Sequence, residues 1–234
     1  MPVRALVFDV FGTVVDWRTS IAEEVREVCG LRAGGVDCEA VADAWRRRYQ
    51  PSLERVRNGS VGWRNLDQLH RESLDEVLNE HGLASLSAED RERLTMAWHR
   101  LHPWPDAISG LTRLRTRFTT ATLSNGNFAL LTELVKIAGL PVDCIISAEL
   151  FEAYKPDPKT YLGAARLLGL APAELMMVAA HPDDLQAAAA CGLRTAYVDR
   201  PLEWGGGDHQ PPTDGFDILA ANLEDLANQL TPLT

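Results

Sequence analysis

The chain has 234 residues, 46% of them hydrophobic and 24% charged, with a formal charge of −10. That length can bury one α/β domain or two modest ones, and the acidity disfavours nucleic acid or anionic membrane, whose phosphates select basic surface. No apolar run approaches the roughly 18 residues that a membrane-spanning helix needs.

The first predicted element is the strand Leu6-Val7-Phe8, reached directly from the N-terminus without the basic and small-residue pattern of a signal peptide. It ends in Asp9-Val10-Phe11-Gly12-Thr13. An Asp at a strand end is often only a turn cap. It is also where a carboxylate, facing backbone N–H groups, can serve as a nucleophile. Glycine permits the sharp turn, and Thr13 can hydrogen-bond the carboxylate from within the same loop.

From Trp17 to His102 the pattern is helical, with periodicity around 21–29, 41–56, 66–78 and 90–101 and no strand-like run. Pro103 and Pro105 close it. This predicts a helical insertion, 17–102, over a core built from 1–16 and 103–234. Beyond it, strand-like runs at 119–123, 144–146, 176–178 and 194–198 alternate with helical stretches at 128–138, 159–168 and 183–191. That alternation implies βαβ units and a mostly parallel sheet, with ligands bound at the carboxyl ends of the strands. A Gly- and Pro-rich loop after Pro201 precedes a last helix near 222–230.

Polar residues cluster at those strand ends. Ser124-Asn125-Gly126-Asn127 offers a hydroxyl and an amide at a helix start, suited to an anion or to an N-cap. Lys155 is one of only three lysines, with Lys136 and Lys159, against twenty arginines. It is either a solvated loop residue or a partner that keeps Asp9 ionised. In Ala180-His181-Pro182-Asp183-Asp184, one aspartate can simply open the helix while the other orients a water. The cysteines, Cys29, Cys38, Cys144 and Cys191, show no metal or disulfide spacing, which fits a reducing, cytoplasmic setting.

These four ordered segments resemble the haloacid dehalogenase superfamily of aspartate-nucleophile hydrolases, over the chain from the first strand to at least Val198. The resemblance implies a Rossmann-like core with a helical cap. Phosphatases of that superfamily carry a second aspartate two residues after the nucleophile, where this chain has Phe11. They also carry an acidic Mg²⁺ ligand in the fourth segment, where it has Ala180. A hard cation would lack a ligand there. The phosphonoacetaldehyde hydrolases use a cap lysine, and 17–102 contains none.

What remains resembles the L-2-haloacid dehalogenase branch, which needs no metal or other cofactor and acts on a small anionic 2-haloacid. The resemblance implies Asp9 as nucleophile, Thr13 as its neighbour, Lys155 as its counter-ion and Asp184 as the residue that positions water. Ser124 and the amides of Val10 and Phe11 would bind the substrate carboxylate. Arg46, otherwise part of a solvated Arg46-Arg47-Arg48 face, and Asn125 would receive the halide. His181, which could equally cap the next helix, and Trp63 are expected to form a tight, donor-rich halide pocket suited to fluoride, with Tyr161 a further lining residue. A magnesium-dependent phosphatase and a non-catalytic binding module are the rival readings. A homodimer is left open.

Overall fold

A computed structural model describes residues 2–30, 35–207 and 209–230. Its centre is a five-stranded parallel sheet in the order β4-β1-β5-β6-β7, built from β1 (Ala5–Phe8), β4 (Thr119–Thr122), β5 (Leu175–Ala179), β6 (Arg194–Val198) and β7 (Ile218–Ala220). β1 is buried throughout because both faces of the sheet are covered. Its period-2 alternation sends Leu6 and Phe8 into one apolar cluster and Ala5 and Val7 into the other. The first cluster takes α6 (Ala107–Arg115), α7 (Phe128–Ala138) and α10 (Leu223–Leu230) through Leu111, Leu131 and Leu226. The second takes α8 (Pro158–Leu167) and α9 (Pro182–Ala190) through Tyr161, Ala164 and Leu185.

A two-residue antiparallel ribbon joins β2 (Val15–Asp16) to β3 (His102–Pro103), pairing Asp16 with His102. Between them lie α1 (Trp17–Cys29), α2 (Cys38–Arg47), α3 (Tyr49–Arg57), α4 (Leu66–Glu80), α5 (Ala88–Thr95) and a 3-10 turn, Met96–His99. Local chemistry starts these helices. Asp16 accepts from Thr19 N, and Asn65 with Gln68 forms a reciprocal capping box. Their inner faces, among them Ile21, Trp45, Leu69 and Trp98, are continuous with the cluster holding Phe8 and Phe11. No described helix is long and apolar enough to cross a membrane.

Three expectations are corrected, and one strand is added. The run 144–146 forms no regular strand: isolated bridges, Ala121 to Cys144 and Ser124 to Ser147, tie this segment to β4 and the turn after it, and Cys144 exchanges backbone bonds of 3.3 Å with Thr120 O and Thr122 N. The Thr122 hydroxyl takes both backbone groups of Ile146, at 3.0 Å each, and so interrupts the backbone pairing at that rung. The helix expected over 41–56 breaks at Arg48 into α2 and α3. The one expected over 90–101 tightens to 3-10 geometry after Thr95. The strand β7 was not anticipated, because its three residues follow a long loop.

Candidate active site

The amide of Asp9 donates to Val178 O at 2.9 Å, so Asp9 is the last residue held by the sheet before the chain turns. The turn passes through Gly12 at φ +88°, a conformation that favours glycine. Trp104 Nε1 and Arg200 Nε grip it from outside by donating to Gly12 O at 2.9 Å and Thr13 O at 2.8 Å. Thr13 Oγ1 donates to Asp9 Oδ2 at 2.8 Å and accepts from Ala180 N at 2.9 Å, so both ends of the hydroxyl are fixed. Asp9, Gly12, Val14 and Val15 direct their amides to backbone carbonyls. Those of Val10 and Phe11 have no such acceptor among the described residues.

Lys155 Nζ donates to Asp9 Oδ1 at 2.9 Å and, on its other side, to Asp184 Oδ2. Burial alone would raise the Asp9 pKa, but the charges of Lys155 and His181 overcome it and hold the carboxyl well below the usual range. Burial would likewise lower Lys155, and Asp184 and Asp9 keep it a cation. Asp184 moves the other way: burial, and then the negative charge of Asp9, push it up despite Lys155. Tyr161 OH donates to Asp184 Oδ1 at 2.6 Å. Two carboxylates in one site thus hold their protons differently, a division suited to one nucleophile and one group that handles water.

These side chains face a cavity of about 360 Å³, whose wall also includes Phe11, Arg46, Tyr49, Arg57, Asn125 and His181. Arg46 is buried while Arg47 is exposed, so the three-arginine run is not one solvated face. The Arg46 guanidinium lies over Tyr49 at 4.2 Å and Trp17 at 5.4 Å, and its buried Nη1 finds no acceptor among the described residues. Asn125 accepts from Lys155 N at 2.8 Å and donates to Tyr49 OH at 3.1 Å, linking the lysine loop to α3. Arg57 adds a second link by donating to Lys155 O at 2.9 Å.

Several expected residues sit differently. Ser124 is fully buried and accepts from Gly126 N at 3.2 Å, outside the cavity wall; the N-cap of α7 is Asn127. Trp63 also lies outside the wall. The loop after α3 carries it onto Tyr154, where the rings stack at 4.8 Å, and Tyr49 supplies the aromatic wall instead. His181 occupies the N-cap position of α9 without capping it. Its ring instead places Nδ1 3.1 Å from Asp9 Oδ2 and Nε2 3.1 Å from Glu203 Oε1. Two facing carboxylates require both nitrogens to donate, which is the imidazolium form. Burial opposes that form, but the bonds to Asp9 and Glu203 hold the ring up at about 10. Glu203, Tyr49 and Arg57 escaped the sequence reading because no local motif marks them. The one available signal was an acidic residue beside the Gly-rich loop after the last long strand.

Residues 3–192 match the family model of haloacid dehalogenase-like hydrolases. The chain is 33% identical over 202 residues to (S)-2-haloacid dehalogenase 1 of Pseudomonas sp. (strain CBS-3), covering 85% of this chain and 86% of the relative. It is 32% identical over 237 residues to (S)-2-haloacid dehalogenase 4A of Burkholderia cepacia, covering 98% and 94%. Its fold superposes on the crystal structure of a defluorinating L-2-haloacid dehalogenase with a TM-score of 0.93 at 46% identity, over 97% of this chain and 95% of that one. The Asp9 loop, the Lys155 loop and an acidic helix start meeting at the carboxyl ends of the strands are therefore accompanied by similarity along most of the chain, which belongs to the haloacid dehalogenase-like hydrolase family.

Proposed function

We propose that this chain hydrolyses the carbon–halogen bond of short 2-haloacids in the cytoplasm, with residues 17–102 acting as a cap over the site. The observation that carries this reading is the state of Asp9. It is ionised by Lys155 at 2.9 Å, while the side chain two residues on, Phe11, lines the same cavity and has no proton to give. A halide leaves without a proton, so this arrangement lacks nothing that the reaction needs.

The substrate carboxylate binds the free amides of Val10 and Phe11 near the Ser124 turn, which brings Cα in line with Asp9. Asp9 attacks, an ester bond forms, and the halide departs with the bonding pair. Holding the reactants in near-attack geometry contributes on the order of 7 kcal/mol or more. Arg46, whose buried Nη1 has no other acceptor, and Asn125 receive the growing negative charge. Water positioned by Asp184, itself held by Tyr161 at 2.6 Å, then attacks the ester carbonyl and releases the 2-hydroxyacid with Asp9 restored.

The test is halide release from fluoro-, chloro- and bromoacetate in excess EDTA, with Asp9→Asn as control. Release should survive the chelator and vanish in the variant. A single turnover in ¹⁸O-water should label Asp9 and not the product. Magnesium-dependent phosphate release from a phosphomonoester, without halide release, would put a phosphatase in its place.

A further inference from the structure

Glu203 has no part in the reaction just described, yet its carboxylate is buried against the nucleophile loop. Oε1 accepts from Trp17 Nε1 at 3.0 Å and faces His181 Nε2 at 3.1 Å. The loop is shaped around it: a Cβ on Gly12 would stand 2.2 Å from that oxygen. α1, the nucleophile loop and the turn before α9 thus converge on one carboxylate. A buried charge of this kind is costly unless paired, and His181 is the pairing cation.

The other end of the His181 ring explains what the pair is for. Asp9 Oδ2 accepts from Thr13 and from His181 together, while Oδ1 accepts from Lys155. With two donors Oδ2 has both lone pairs engaged, so attack by that oxygen requires one of its donors to let go. Thr13 is fixed by Ala180 N and Lys155 by Asp184. His181 stands on the cavity wall with its side chain 34% exposed, and it is the donor with room to turn.

We propose that Glu203 is a positioning residue: through Nε2 it pivots the His181 cation, whose Nδ1–H passes from Asp9 to the departing halide. This rests on the dehalogenase reading. The Asp9 oxygen–carbon bond forms as the carbon–halogen bond breaks, the halide takes the bonding pair, and His181 keeps its proton throughout. The contribution is greatest for fluoride, whose compact charge is the strongest hydrogen-bond acceptor of the halides. The raised pKa of the ring, about 10, agrees with the geometry. The other ionisable groups on the cavity around it are Lys155, Arg46, Arg57, Tyr49, Tyr161, Asp183 and Asp184.

The first measurement is kcat for fluoro- and bromoacetate in wild type, Glu203→Gln, His181→Asn and the double variant. Glutamine keeps an acceptor for Trp17 and the same volume. The expected loss in Glu203→Gln is about 100-fold on fluoroacetate but less than about 5-fold on bromoacetate. Adding it to His181→Asn should cost nothing further. Equal losses on both halides, or losses that multiply in the double variant, overturn the proposal. Wild type provides a check that needs no variant: its fluoride-to-bromide kcat ratio should fall as pH rises through about 10, and a constant ratio overturns the proposal. NMR titration of the His181 ring separates this inference from the reading beneath it. Its midpoint should drop by about two pH units in Glu203→Gln, and an unmoved midpoint sinks the role of Glu203 whatever the substrate. Absence of halide release by wild type sinks the dehalogenase reading, and the halide step with it, while the titration still reports on the pair.

Discussion

Gly12 meets two demands at once, a φ of +88° and the Glu203 carboxylate against its Cα. Either alone would select glycine. Gly12→Ala should therefore combine roughly 1–2 kcal/mol of left-handed backbone strain with displacement of Glu203, and should lower kcat at least tenfold. Halide-release kinetics beside a melting curve test this; a variant with wild-type turnover would show that the loop tolerates a shift. At this scale the sequence was informative where chemistry is compressed into a short motif. Asp9 and Thr13 share one loop, and proline punctuates the other two, just after Lys155 at Pro156 and just before the aspartates at Pro182. Arg46 was harder to place, because successive helical residues point about 100° apart and nothing in Arg46-Arg47-Arg48 says which one turns inward. Glu203 and Tyr49 gave no sign, since their roles arise only when distant segments meet.

Among the elements, the pairing of α6 with α10 depends on a missing side chain. A Cβ on Gly110 would lie 2.6 Å from Leu223 Cβ and 2.7 Å from its backbone, so the helices touch almost backbone to backbone. Gly110→Ala gains helix propensity but forces the pair apart, and a net loss of about 1–3 kcal/mol is expected from overpacking. Urea denaturation measures it directly. The link between α3 and the lysine loop makes a functional counterpart. Arg57→Ala removes the bond to Lys155 O and one cation from the cavity rim, so KM for a haloacetate should rise about tenfold, the value of one charged hydrogen bond. kcat should change much less, because Lys155 keeps its bonds to Asp9 and Asp184. Elements with a clear period were legible in advance. The run 144–146 misled because a threonine hydroxyl can interrupt a ladder at one rung, an event that hydrophobic pattern does not register.

Over the whole molecule, two histidines should shape stability in opposite directions. His70 is buried between Trp98, stacked at 4.2 Å, and Trp45, and burial drives it down to about 3. The folded state refuses a proton that the unfolded chain accepts near 6.5. Its contribution is thus complete above that value and lost as pH falls toward 3. His181, raised to about 10, behaves in reverse: its contribution is complete below 6.5 and lost as pH rises through about 10. Melting temperatures across pH should show a flatter acid limb in His70→Phe and a flatter alkaline limb in His181→Gln. Unchanged limbs would assign the acid limb to the carboxylates and the alkaline limb to cysteine, tyrosine and lysine side chains.

The ribbon formed by β2 and β3 has a further consequence. Asp16 and His102 face each other across the ribbon, so the chain departs and returns through a single doorway. Seen from the sheet, everything between them is one closed loop, and closure entropy grows only with the logarithm of loop length. The length of that excursion is therefore almost weightless to the sheet, and evolution can lengthen, trim or exchange it as a cassette. A chimera carrying a foreign helical segment between those two residues should retain the parent's sheet register while changing which acids can enter.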